Sequence, residues 1–131
     1  MSSIFSKIIR GEIPCYKIGE DQDNFAFLDI NPLRAGHTLV VPKKEVDRLF
    51  DLSEEDYLSL FRFSKKVAGA IKEVTPCDRV GVCVIGLEVP HAHVHLIPIN
   101  SLRDMDFTQP KLRFSPEEFD QIAQEIRNRL D

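Results

Sequence analysis

Residues 91 to 100 read HAHVHLIPIN and hold three of the four histidines in the 131-residue chain. On a strand, side chains alternate between faces, so His91, His93 and His95 are predicted to share one face while Ala92, Val94 and Leu96 point into the core on the other. At about 3.3 Å of rise per residue, neighbouring imidazoles on that face stand roughly 7 Å apart, close enough to converge on one ligand. The fourth histidine, His37, lies in GHTLVVPKK, a second β-branched run that also reads as a strand and ends at Pro42.

Working outward from these two runs, the sequence alternates strand and helix signals. CYKIGED and FAFLDI flank the polar turn DQDN as a hairpin, and RVGVCVIG supplies a further strand just before the histidine run. Ser53 opens a long helix over 54–74, along which Tyr57, Leu58, Leu60, Phe61, Val67, Ala68, Ile71 and Val74 recur near a 3.6-residue period. Ile4, Phe5, Ile8 and Ile9 form a short amphipathic helix that Gly11 and Pro14 stop. Near the C-terminus, Ser115, Pro116 and Glu118 spell a capping-box helix start, followed by the apolar stripe Phe119, Ile122, Ala123, Ile126 and Leu130. The expected fold class is α+β: a mostly antiparallel five-stranded sheet with a long central helix and short N- and C-terminal helices. No repeat or second domain is visible. Residues 1–131 are read as one domain, with 101–131 as a C-terminal extension and 101–114 as its least regular part.

Composition narrows the function classes. Hydrophobic residues make up 43% and charged residues 29%, the balance of a soluble globular protein. A net charge of −4 and an isoelectric point near 5.6 supply no broad basic footprint, so neither nucleic acid nor a membrane is an expected partner. Cys15, Cys77 and Cys83 share no ligand-like spacing and are read as reduced thiols. The first residues lack the basic, apolar and small-residue pattern of a signal peptide, so the expected location is the cytoplasm.

Three readings of the histidine run stand side by side. A lone histidine on an apolar strand is usually a core residue, but each buried imidazole must satisfy two nitrogens, and three together make a purely structural role costly. His-x-His on a strand can place two nitrogens on one zinc, with Glu88 or His37 as a further ligand or base. In the third reading one imidazole attacks phosphorus while the others orient it and donate to phosphoryl oxygens. Imidazole titrates near neutrality, and such a site binds phosphate through local donors, which agrees with an acidic chain.

HAHVHLI resembles the His-φ-His-φ-His-φ-φ signature (φ apolar) of the histidine triad, or HIT, superfamily. IFSKIIRGEIP, FLDINP and GHTLVVPKK resemble its other blocks in the same order, so the resemblance covers about residues 3 to 100. It implies a HIT-like fold and a homodimer whose two sheets join. It also implies a hydrolase that cleaves at the α-phosphate of a nucleoside phosphoramidate or related purine nucleotide through a nucleotidyl-histidine intermediate, with no cofactor. By motif position His93 would be the nucleophile, His95 would contact the phosphoryl oxygens, and His91 and His37 would hold the network that orients His93. Ile4, Phe5, Ile8, Phe27, Leu28, Asp29 and Ile30 map onto the family's nucleoside pocket, with Asp29 on the ribose hydroxyls. The alternatives are hydrolysis of diadenosine polyphosphates and a nucleotide-binding sensor or scaffold dimer with little catalysis.

The sequence departs from the family pattern in two places. Many relatives bind structural zinc through a Cys-x-x-Cys and a histidine where this chain has Ser3, Ser6 and Glu45, so no metal is expected. The loop CVIGLEVPH is short and puts Glu88 where relatives carry a hydroxyl; a buried Glu88 with a raised pKa would act as a general acid.

Overall fold

A computed structural model of the protein describes residues 2–130. The chain runs α1 (Ile4–Ile9), β1 (Lys17–Glu20), β2 (Asn24–Leu28), β3 (Thr38–Pro42), α2 (Glu54–Val74), β4 (Arg79–Cys83), β5 (Val94–Ile99) and α3 (Pro116–Arg127), with short 3₁₀ turns at Leu49–Asp51 and Leu102–Met105. The five strands form one sheet in the order β1-β2-β3-β5-β4, and every pairing is antiparallel.

The two faces of the sheet bury different residues. Ala26, Leu28, Val40, Val94 and Leu96 point to one side, where they pack with Leu60, Phe63, Val67, Ala70 and Ile71 of α2 and with Phe119, Ala123 and Ile126 of α3. Phe25, Phe27, Leu39 and Val41 point to the other side, where Phe5 and Ile8 of α1 cover them. The alternation follows from the strand period of two. It leaves the face opposite the long helices covered by only one and a half helical turns, and His95 stands on that face beside its β3 partner Leu39.

The helix ends are fixed as their sequences dictate. Ser53 Oγ accepts from the Asp56 N–H at 3.1 Å. In α3 the box is reciprocal, with Ser115 Oγ accepting from the Glu118 N–H at 3.1 Å and Glu118 Oε1 accepting from the Ser115 N–H at 2.8 Å. In α2 the buried stripe is centred differently from the expected one. Leu58 is 50% exposed, whereas Phe63, Ser64 and Ala70 are buried. A stripe through Leu60, Phe63, Val67, Ala70 and Ile71 keeps the i, i+3, i+4, i+7 spacing, and Leu58, two residues from Leu60, falls on the solvent side.

The histidine run also differs from its expected form, because β5 begins at Val94 and leaves His91 and His93 outside the regular ladder. The Ala92 N–H bonds the Val46 carbonyl at 2.7 Å and the His91 N–H bonds Val89 at 2.8 Å, so these backbone groups are used by the loop and not by β3. The chain curls there, and the His93 and His95 rings are 5.1 Å apart between centroids, closer than an extended strand would put them.

Candidate functional site

Each imidazole is positioned by a backbone group, and those groups fix which nitrogen carries the proton. Gly36, with φ +92°, takes the third position of a turn closed by the His37 N–H on the Arg34 carbonyl at 3.1 Å, and so places His37 immediately before β3. The ring of His37 is folded back over the same turn: the Leu33 N–H donates to His37 Nδ1 at 3.0 Å. An amide N–H can only donate, so Nδ1 holds a lone pair and the neutral ring keeps its proton on Nε2. That N–H faces His95 Nδ1 at 3.0 Å. His95 Nδ1 is thereby the acceptor, and the proton of neutral His95 sits on Nε2, as an outward donor.

The other two rings follow the same logic. His91 Nε2 meets the Pro42 carbonyl at 2.7 Å, so it donates, and His91 Nδ1 accepts from the Ser3 hydroxyl at 2.7 Å. His93 Nδ1 meets the carbonyl of His91 at 2.8 Å and must donate. Neutral His93 therefore carries its lone pair on Nε2, the configuration of a nucleophile or base.

The surroundings hold His37, His91 and His95 neutral. Burial pushes His37 down from 6.5 to about 4, with the Lys111 charge adding to it. Burial also lowers His95 from 6.5 to about 4, helped by His37 and His93 and opposed by Asp29. His91 is lowered mainly by burial, against the raising effects of the Pro42 carbonyl and Glu45. At neutral pH His37, His91 and His95 are oriented N–H donors and lone pairs, not cations.

The expected nucleoside residues divide into groups. Phe5 packs edge-on to His93 at 4.9 Å and to His91 at 5.8 Å, and Phe27 lies 5.6 Å from Phe5. Ile8 is buried with them. Asp29 brings Oδ2 to 3.5 Å from His37 Nε2, while its Oδ1 accepts from the Asn31 N–H at 2.8 Å. Leu28 does not join this group: it faces the helix side as part of the main core, because it follows Phe27 by one residue on the strand. Ile4 and Ile30 are 49% and 64% exposed, and Glu88 is exposed in the loop before the histidines. A carboxylate in that position is solvated, so the burial on which the general-acid reading of Glu88 depends is absent.

Asp29, His37 and His95 each offer one potential ligand atom within 4.8 Å of the others. Two of those atoms, His37 Nε2 and His95 Nδ1, are already donor and acceptor to each other, which accounts for the cluster without an ion. At the positions that the resemblance associates with structural zinc, Ser3, Ser6, Glu45 and His91 converge. Glu45 Oε1 accepts from the Ser3 N–H at 2.7 Å and from the Ser6 hydroxyl at 2.6 Å. Two hydroxyls and one carboxylate do not make a structural zinc donor set, which needs thiolates or further imidazoles. What they form instead is a hydrogen-bonded box that holds His91, with the Ser3 N–H, then Ser6, keeping the Glu45 carboxyl below its usual range.

Two parts of the site carried no motif. Leu33 acts through its backbone N–H, to which side-chain patterns are blind. Phe107, from the irregular segment after β5, lies edge-on to His95 at 5.0 Å and to His37 at 6.1 Å.

A family model for the HIT domain matches residues 10–102. The adenosine 5'-monophosphoramidase of Schizosaccharomyces pombe is 35% identical over 133 residues, covering 99% of each chain. An adenylylsulfatase of Arabidopsis thaliana is 31% identical over 128 residues, which is 94% of this chain and 64% of that protein. Among solved structures, a Hit-like protein involved in cell-cycle regulation from Bartonella henselae has a TM-score of 0.85 at 33% identity, covering 98% of this chain and 96% of that one.

Proposed function

The chain belongs to the HIT family, and on that premise we propose that it is a nucleotide hydrolase acting on adenosine phosphoramidates or related purine nucleotides through His93. The observation that carries the reading is the hydrogen bond from His93 Nδ1 to the His91 carbonyl at 2.8 Å, which commits the opposite nitrogen to its lone pair. His93 Nε2 attacks the α-phosphorus, the phosphorus–nitrogen bond breaks, and the amine departs after taking up a proton. Water then attacks phosphorus, the histidine–phosphorus bond breaks, and adenosine monophosphate leaves with the imidazole restored. His95, an Nε2–H donor through its bond to His37, meets the phosphoryl oxygen as charge builds there. Asp29 accepts from the ribose hydroxyls, and Phe5 and Phe27 supply the apolar wall.

The names of the relatives support this substrate class, since one acts on an adenosine phosphoramidate and another on adenylylsulfate by their descriptions. We further propose a homodimer joined through β4, an edge strand whose Val82 is 52% exposed. Sedimentation at a single-subunit mass would reject it. No helix among the described residues is long and apolar enough to cross a membrane.

The test is mass spectrometry of protein quenched during turnover of adenosine phosphoramidate, with His93→Ala alongside. A nucleotidyl adduct on wild type and none on the variant is the expected result. Turnover that persists in His93→Ala would exclude the covalent route.

A further inference from the structure

His37 and His95 bring no positive charge to the proposed phosphate site. His37 and His95 are neutral at pH 7, yet the substrate of the proposed reaction brings an anionic phosphate, and oriented N–H groups alone must meet it. Residues 101–114 bear on this because they are tied down beside the histidines. The Asp104 carboxylate pairs with Arg34 at 2.6 Å and accepts from the Asn100 N–H at 2.7 Å. The Leu112 N–H donates to the Pro32 carbonyl at 2.8 Å, in the loop that leads to His37. Between those two ties Phe107 lies against His95 and His37, and Lys111 Nζ stands 5.9 Å from the Phe107 ring centre.

The ammonium is held in place and is not neutralised. Lys111 Nζ donates to the carbonyls of Phe107 at 2.5 Å and Gln109 at 3.3 Å, which leaves its third proton free. It forms no ion pair among the described residues. Asp106, which also feels the Lys111 charge, is engaged with the Thr108 N–H and hydroxyl and with Gln109. Among the lysines and arginines, Lys111 is the one whose charge bears on His37, His91 or His95, acting through His37.

We propose that Lys111, presented across Phe107 by the strap 101–114, supplies the positive charge of the phosphate site and binds the anionic phosphate of the nucleotide. Phe107 closes the His37–His95 side of the cleft and sets the position of the ammonium. This deepens the hydrolase reading and rests on it, since it assumes that the histidines face a nucleotide phosphate.

The test compares adenosine monophosphate affinity by calorimetry, and kcat/KM for adenosine phosphoramidate, in wild type, Lys111→Gln and Lys111→Arg, at low and high salt. Lys111→Gln is expected to weaken binding at low salt by roughly threefold to tenfold, the range for one partly screened charge. Lys111→Arg is expected to stay within about twofold of wild type, and the gap between Lys111→Gln and wild type should narrow in high salt. A purely structural part for Lys111 would show no rescue by arginine and no salt dependence of the gap. Wild-type affinity in Lys111→Gln at low salt overturns the proposal alone. Wild type that does not bind adenosine monophosphate overturns the nucleotide reading and the proposal with it.

Discussion

Lowering the pH from 7 to 5 should destabilise this protein through its buried histidines before any carboxylate is involved. His37 and His95 each have a folded pKa of about 4 against an ordinary value of 6.5. The unfolded chain therefore takes up protons first as pH falls, so the stability these rings contribute is full above about pH 6.5 and is lost towards pH 4. For one such ring the loss between pH 7 and 5 works out to about 2 kcal/mol. Protonation of His95 at Nδ1 breaks the bond from His37, protonation of His37 at Nδ1 displaces the Leu33 N–H, and the two charges repel, so the contributions are not independent and together amount to roughly 2–4 kcal/mol. At about 4 °C per kcal/mol for a chain of this size, the melting temperature should fall by roughly 8–15 °C. Carboxylates held low, such as Glu20 at about 2 and Asp104, have unfolded values near 4.5 and 3.8, so their effect lies mostly below pH 5. Differential scanning calorimetry at pH 7, 6 and 5 measures the change. A melting temperature constant within about 3 °C would refute the reasoning, because it would mean that the rings are solvated or already charged in the folded state.

Three further outcomes are expected. Ser3→Ala removes both the N-cap acceptor of α1 and the hydroxyl that donates to buried His91 Nδ1, and should cost roughly 2 kcal/mol by chemical denaturation, with a drop in kcat larger than any change in KM. Asp29→Asn can keep the turn bond to the Asn31 N–H but loses the carboxylate; melting temperature should hold while nucleotide affinity falls about tenfold by calorimetry. Gly36→Ala puts a Cβ 2.9 Å from Thr75 Oγ1 at a φ of +92°, so it should destabilise by about 1–3 kcal/mol and lower activity, as His37 follows the displaced turn.

Much of the fold was legible because it rests on local rules. Ser53 and Thr75 bound α2 where the periodicity begins and stops, and the Ser115-Pro116-Glu118 start of α3 closes its capping box as the sequence spells it. The α+β class and the antiparallel sheet followed from the same patterns. The histidines were legible as a group, but their geometry was not, because the curl at 91–93 is set by loop partners, Val46 and Val89, far from any strand signal. Leu28 reads as part of a nucleoside-pocket block, yet strand parity sends it to the core beside Ala26. The positioning groups Leu33 N–H, Pro42 carbonyl and His91 carbonyl are backbone atoms that every sequence has. Phe107 and Lys111 lie in a segment without periodicity, and only the ties at Asp104 and Leu112 bring them to the site.

That dependence on backbone groups joins the chemistry of the site to the register of the sheet. Leu39 pairs with His95 and Val40 with Val94, so a slip of one residue between β3 and β5 would turn His95 into the helix-side core and Leu96 out of it. The slip would expose apolar surface and bury an imidazole away from His37, so the alternation that fills the core also enforces the His37–His95 bond. His93 is secured separately, since it is held by the His91 carbonyl, and His91 in turn by Pro42 at the end of β3 and by Ser3 at the start of α1. At this corner the Ser3–Ser6–Glu45 box holds His91 through hydrogen bonds. Neutral rings then make good ligands for the relay and poor counter-ions for phosphate, because the burial that fixes their tautomers also removes their charge. A phosphate bound beside His37 and His95 would draw its positive charge from elsewhere, and the strap that carries Lys111 is the part of the chain proposed to provide it.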